Sequence, residues 1–314
     1  MFEEKITPLP LDIFRLLRDF IKEYCGLFFN DKSLFILERR LSRRLKIHSL
    51  KDFREYYRFL MYDEKRDEEI HAIIDILTVN ETYFFRALTQ LTAFVDEIMP
   101  MIKEEKKDKK KINVWSAGCA TGEEPYTLAM LILEKVGFDG WDIKILGSDI
   151  SQRALQVARS GIYRKNSFRT TDKYFIEQYF QKEQPDRYII SDKVKRLVDF
   201  GSVNLLNPFK IQLISKMDVI FCRNVLIYFD EASRKKVIDN FFDILVDGGY
   251  LILGHTESLV SISTAYSLKH LKNDMVYQKP VKPHPKSLEE VLNMKSTVPR
   301  ITLRKRLDND NATK

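Results

Sequence analysis

The chain has 314 residues, 44% of them hydrophobic, and a formal net charge of +7, a size that suits one larger domain with a smaller companion. No apolar run reaches the roughly 18 residues that cross a bilayer, and Glu3, Glu4, Pro8 and Pro10 interrupt any secretory segment, so a cytoplasmic protein without membrane insertion is expected. The positive charge favours acidic partners without choosing among nucleic acid, anionic lipid and protein.

Residues 1–79 read as a basic helical domain. Leu11 to Cys25 places Phe14, Leu17 and Ile21 on one face and stops at Gly26. From Leu34 to Leu45 the stripe Leu34, Leu37, Leu41 and Leu45 leaves Arg39, Arg43 and Lys46 on the opposite side. Ser49 is the candidate cap of a third helix carrying Leu50, Phe53, Tyr57 and Leu60, and Ile70 to Leu77 is a fourth periodic stretch.

Beyond Asn80 the rhythm changes. Ile112–Trp115, Ile143–Leu146, Val219–Cys222 and Tyr250–Leu253 are short apolar runs separated by helical stretches, which predicts a parallel sheet in a Rossmann-like α/β domain over 80–279. The Lys-rich stretch Lys103 to Lys111 reads as a solvated connection. Tyr174 to Val203 breaks the alternation: a helix-like aromatic run, the turn Gln184-Pro185-Asp186, then Arg187–Ile190 and Val198–Phe200 suggest a small inserted β subdomain. Its strand edge could pair with an extended peptide from a partner, leaving cofactor binding independent of it. From 280 to 314 Pro, Lys, Ser and Asn dominate, and a basic, disordered tail is expected.

The loop Ser116-Ala117-Gly118-Cys119-Ala120-Thr121-Gly122-Glu123-Glu124-Pro125-Tyr126 follows the first strand and enters a helix. Its small residues let a ligand approach the main chain. It has neither G-x-G-x-x-G nor G-x-x-x-x-G-K-S/T, and its two carboxylates would repel phosphate, so dinucleotides and nucleoside triphosphates are disfavoured. Asp149 ends the next strand, where a carboxylate can take ribose hydroxyls; the competing role is a cap for the helix near Ser151. Asn207-Pro208-Phe209 reads as a turn, and His255 as a strand-end packing residue. Cys25, Cys119 and Cys222 lie far apart with no histidine cluster, so neither a disulfide framework nor a metal site is expected.

Four runs in order, Asn80-Glu81-Thr82-Tyr83-Phe84-Phe85-Arg86, Ala117 to Tyr126, Ser160-Gly161-Ile162-Tyr163 and Phe221 to Asp230, resemble the CheR family of chemotaxis receptor methyltransferases. The resemblance extends from the N-terminal helices to about Gln278. It implies a helical domain, an S-adenosylmethionine-dependent methyltransferase domain of α/β class, and an inserted β subdomain. By the same resemblance Asn80, Thr82, Arg86, Gly118, Glu124, Asp149, Asn204, Leu205, Asn224 and Val225 surround S-adenosylmethionine and its product S-adenosylhomocysteine. Glu124 would face the cationic end, and Asn204 and Leu205 the adenine; for Glu123, ligand contact and a solvent-facing position stay open. Arg86 and Tyr228 are the implied catalytic pair.

The implied reaction is methyl-ester formation on glutamates of the cytoplasmic helices of chemoreceptors by a monomeric enzyme that takes no nucleic acid. Arg39, Arg43 and Lys46 are the candidate receptor-binding face. The competing readings are a relative acting on another protein acceptor, and a non-catalytic cofactor-binding module. The latter requires lost motif residues, and none is lost.

Overall fold

The computed structural model describes residues 6–135 and 138–281, so the tail expected from 280 onward lies, from residue 282, outside the described residues. The helix Leu11–Cys25 buries Ile13, Phe14, Leu17, Ile21 and Cys25 and ends where Gly26, at φ +81°, returns its N–H to the Lys22 carbonyl. Each such apolar side chain contributes about 1.5–3 kcal/mol on full burial. The helix Leu34–Ile47 buries Leu37, Leu41 and Leu45, and Arg39, Arg43 and Lys46 are exposed as the periodicity predicts. Helices Phe53–Tyr62 and Arg66–Leu77 complete the group.

Ser49 does not cap the third helix. Asp52 does, its carboxylate accepting the N–H groups of Arg54 and Glu55, and Tyr56 takes the buried position while Tyr57 is half-buried. An ionised carboxylate gains more than a hydroxyl from the positive end of a helix, which favours the later start. Across the bundle the buried carboxylate of Glu69 accepts hydrogen bonds from Arg44 and the Tyr56 hydroxyl and contacts His48. Burial alone would raise that carboxyl; its donors outweigh burial and hold it below the usual range.

Ten strands follow among the described residues: β1 Lys111–Ala117, β2 Asp142–Asp149, β3 Ile162–Tyr163, β4 Phe180–Gln184, β5 Arg187–Ile190, β6 Val198–Ser202, β7 Met217–Cys222, β8 Leu245–Leu253, β9 Ser267–His270 and β10 Met275–Gln278. Seven form one sheet in the order β6-β2-β1-β7-β8-β10-β9, parallel from β6 through β8, with β10 antiparallel to both its neighbours. From β1 the chain moves outward to β2 and later returns to β7 on the other side. The order therefore switches between β1 and β7, and a crevice opens there beyond the carboxyl ends of the strands.

The insertion has different limits from those read in the sequence. β3, β5 and β4 form a separate antiparallel sheet, whereas Val198–Ser202 pairs in parallel with β2 and is the edge of the main sheet. Ile162 and Tyr163, well upstream, supply the partner that β5 needs, in register with Ile189 and Tyr188. Phe84 of the first motif packs against Tyr163, Phe168 and Phe180, with ring centroids 4.8, 5.2 and 5.1 Å away. Asn207 also departs from expectation: its side chain caps a short helix, Pro208–Gln212, by accepting the Lys210 N–H. The Lys-rich connection is not wholly solvated, since Lys106 pairs with the buried Asp218.

One face of the main sheet shares its core with the N-terminal helices, where Phe14, Leu41 and Leu77 belong to the same cluster as Trp115, Ile220 and Phe241. The other face packs on a second cluster that includes Phe84, Phe94, Tyr126 and the insertion's aromatic residues.

Candidate active site

A pocket of about 440 Å³ lies over the strand ends, within the range of small-molecule sites. Cys25, Leu27, Phe28, Ile36, Arg40 and Leu77, from the N-terminal helices and the loop after the first of them, form one wall. Asn80, Thr82, Arg86, Gly118, Glu124, Asp149, Asn204, Leu205, Asn224, Val225 and Tyr228 all line it. Arg39, Arg43 and Lys46 are not among the lining residues, although Ile36 and Arg40 of the same helix are.

The loop after β1 is shaped by two glycines. Gly118 sits at φ +80°, and a Cβ there would lie 2.4 Å from Val225 Cγ2, so the turns after β1 and β7 touch because residue 118 has no side chain. Gly122, at φ +91°, precedes the helix Glu123–Glu134, where a Cβ would stand 2.8 Å from that of Ala158. The N–H groups of Gly118 and Cys119 both donate to the Ser148 carbonyl at 2.8 Å, which ties the loop to β2.

Asp149 is buried and accepts the N–H groups of Ala120 at 2.8 Å and Ser151 at 2.9 Å. It is not a helix cap, because Ser151 takes that role with its hydroxyl on the Ala154 N–H. Burial raises the Asp149 carboxyl above its usual range, and the backbone donors offset that only in part.

Glu124 accepts from the Ser116 hydroxyl at 2.7 Å and from Arg223 Nε at 2.6 Å, the latter a largely buried ion pair. Arg223 also donates to the Arg86 carbonyl and to Gln90 Oε1. Arg223 is the residue sequence reasoning passed over, although it lies inside the quoted run Phe221 to Asp230. Its signal was a charge placed directly after a strand of uniformly buried residues.

Glu123 takes neither of the positions left open: it neither lines the pocket nor faces solvent. It is buried, accepts from the hydroxyls of Thr121 at 2.6 Å and Ser167 at 3.0 Å, and burial raises its carboxyl. Asn204 lines the pocket while its amide donates to the Tyr24 carbonyl, joining the end of the first helix to the turn after β6.

Arg86 donates to the Glu81 carbonyl at 3.0 Å and lies 5.6 Å from the Tyr83 ring centre. Arg169, from the insertion side, stacks on the same ring at 3.7 Å and pairs with the Glu81 carboxylate. Tyr228 is half-buried; burial pushes its hydroxyl upward, and the nearby Arg86 charge pulls it back in part. The hydroxyl therefore stays protonated through neutral pH and can donate a hydrogen bond. His255 is exposed and so is not the packing residue expected; in that stretch it is Glu257 that accepts the N–H groups of Asn224, Val225, Ile227 and Gly254.

Two family models match this architecture: "CheR methyltransferase, all-alpha domain" over residues 12–78 and "CheR methyltransferase, SAM binding domain" over residues 80–275. The chain belongs to the CheR methyltransferase family. It is 36% identical over 266 residues to chemotaxis protein methyltransferase 2 of Vibrio cholerae, covering 84% of this chain and 92% of that protein. To the chemotaxis protein methyltransferase of Borreliella burgdorferi it is 37% identical over 240 residues, 74% of this chain and 83% of that one. The Escherichia coli protein of the same name is 30% identical over 259 residues, 82% and 87% of the two chains.

S-adenosylmethionine is the cofactor of this methyltransferase. The pocket suits it chemically: the bare main chain at Gly118 leaves room for a close approach, and the lining carboxylates of Glu124 and Asp149 suit a ligand with a cationic end and hydroxyls. Within this CheR methyltransferase the catalytic candidates Arg86 and Tyr228 share the pocket with every cofactor-binding candidate.

Proposed function

We propose that this methyltransferase forms methyl esters on glutamate side chains of the cytoplasmic helices of chemoreceptors. The observation that carries the acceptor class is the make-up of the pocket wall. Among the described lining residues there is no histidine and no lysine, and burial pushes the Cys25 thiol to about 12 and that of Cys119 well up. Glu124 is paired with Arg223, and Asp149 is held by backbone N–H groups. An alcohol acceptor would need a general base; a glutamate, with a reference pKa of about 4.3, is already ionised at neutral pH.

Bound S-adenosylmethionine supplies an electrophilic methyl group on a sulfonium. Arg86 would orient the incoming carboxylate through one oxygen, leaving the other free to attack, and the Tyr228 hydroxyl would donate beside the transfer point. Attack joins an anion to a cation, so charge diminishes toward the transition state, and the apolar lining residues Leu27, Phe28 and Ile227 would favour it by excluding water once the acceptor covers them. Asn80, Thr82, Gly118, Asn204, Leu205, Asn224 and Val225 would complete the cofactor's surroundings. The exposed Arg39, Arg43 and Lys46 would meet the acidic receptor helices, and β4, an outer strand of the small sheet, offers an edge for an extended receptor segment.

The test is transfer of labelled methyl from S-adenosylmethionine to receptor-containing membranes. Label that mild alkali releases as methanol is the expected result. Alkali-stable label, as an N-methyl product would give, overturns the ester assignment.

A further inference from the structure

We propose that Glu257 is a positioning residue for methyl transfer: its carboxylate takes up the main-chain donors of the turn after β7 and so sets Asn224, Val225 and Tyr228 against the pocket. The inference rests on the methyltransferase assignment and not on the identity of the acceptor. Glu257 Oε2 accepts the N–H groups of Asn224 and Gly254, both at 2.8 Å, and Oε1 accepts those of Val225 at 3.0 Å and Ile227 at 3.3 Å. The Glu257 N–H itself returns to the Gly254 carbonyl at 2.8 Å, closing a tight turn at the end of β8. One side chain from the β8 turn thus fixes the neighbouring β7 turn at three points.

The backbone around it is built to this contact. Asn224 lies at φ +59°, in the left-handed region that few residues other than glycine and asparagine enter, and its surroundings hold it there. At Gly254 a Cβ would stand 2.7 Å from Glu257 Oε2 and 3.0 Å from the Asn224 nitrogen, so no side chain fits between the two turns. Downstream, the Tyr228 N–H donates to the Val225 carbonyl at 3.1 Å, and Val225 packs on Gly118. A shift of the turn therefore moves the Tyr228 hydroxyl and the Val225 wall together.

The contact also bears on ligand class. Clustered N–H groups at the carboxyl end of a sheet strand form a ready site for an anion such as phosphate. Here the protein supplies its own anion, so the N–H groups of Asn224, Val225 and Ile227 are already engaged. The turn that closes this side of the pocket therefore offers no main-chain anion site at these three positions.

Glu257→Gln keeps the shape but turns one acceptor oxygen into a donor that opposes two of the N–H groups. The folded variant should bind S-adenosylhomocysteine at least about tenfold more weakly by calorimetry. With cofactor and acceptor saturating, its kcat should fall by about tenfold to a hundredfold, the scale of an ångström-size displacement at a reacting centre. Glu257→Asp, charged but one methylene shorter, should lie between it and the wild type. A lowered Tm with affinity and kcat within about twofold of wild type would reduce Glu257 to a fold-stabilising residue and overturn the proposal. Should Glu257→Gln not fold, amide exchange in the wild-type enzyme decides: slow exchange at Asn224 and Val225 is required, and exchange at the rate of exposed loops overturns it. The binding arm needs no acceptor, so a failed ester assay leaves this test intact.

Discussion

At Asp149 a single carboxylate lines the pocket and also holds the Ala120 and Ser151 N–H groups, so its removal would strand two donors as well as a ligand partner. Arg86 and Tyr228 are placed differently. Neither side chain is part of a buried network, and their proposed partners are the reacting groups. Arg86→Ala and Tyr228→Phe should therefore each lower the single-turnover transfer rate by roughly tenfold or more, a larger factor than any loss of S-adenosylhomocysteine affinity. Equal transfer rates in both variants with every ligand saturating would remove the pair from the chemistry. Glu123 gives a pH signature. Its carboxyl is raised by burial, so the folded protein binds a proton more readily than the unfolded chain, and stability is lost as pH rises from the ordinary carboxylate range through the raised value. Glu123→Gln should match or exceed the wild-type Tm at pH 7, and the difference should close as pH falls toward about 4.5. A variant less stable at pH 7 but not at low pH would mean the charged form is the favoured one.

Among the elements, those whose determinants are local were legible in the sequence. The stripes of Leu11–Cys25 and Leu34–Ile47, the stop at Gly26, and the apolar runs of β1, β2, β7 and β8 each depend on residues within a few positions of one another. The insertion's limits were not legible, because the paired residues of β3 and β5 are more than twenty positions apart and nothing in Val198–Ser202 says which sheet it will join. Nor was Glu257: its donors are some thirty residues upstream, so only the fold brings them together. The β3 side of the small sheet, upstream of the segment Tyr174 to Val203, also reaches the cofactor loop. The Tyr163 hydroxyl donates to the Thr121 carbonyl at 2.8 Å and Ser167 to Glu123, so the insertion helps hold the loop after β1. The basic helix presents a simpler case. Its exposed charges act at long range and are screened over about 8 Å at 0.15 M salt. Reversing Arg39 and Arg43 to Glu should slow receptor methylation steeply at low salt, leave S-adenosylhomocysteine affinity intact and flatten the salt dependence. Unchanged methylation across the salt series would leave this face merely solvated.

For the whole molecule the pocket is a joint construction. Cys25, Leu27 and Phe28 face it from the first helix and the loop beyond, Asp75 accepts from the Ser151 hydroxyl at 2.7 Å, and Arg40 donates to the Leu77 carbonyl at 2.9 Å. A chain cut to residues 80–281 lacks one wall and exposes the sheet face that shares its core with Phe14 and Leu41. It should bind S-adenosylhomocysteine at least about a hundredfold more weakly than the intact chain by calorimetry, or aggregate; wild-type affinity in the truncated chain would show that the helical wall contributes nothing. All eleven pocket candidates are brought together, whereas the contact of Asn204 with Tyr24 was beyond sequence reading because the two are 180 residues apart.

The short bridge between Leu27 and Phe229 sets a timetable for the protein's birth. Its two halves are about 200 residues apart, and the Phe28 N–H waits for the Tyr228 carbonyl across the same interval. At ribosomal speeds of about 5–20 residues per second, the helical wall emerges roughly 10–40 s before the strand it must meet. During that interval Leu27, Phe28 and Phe29 have no sheet to rest on. The growing polypeptide presents a greasy flank that a nascent-chain chaperone can hold until the seventh strand arrives.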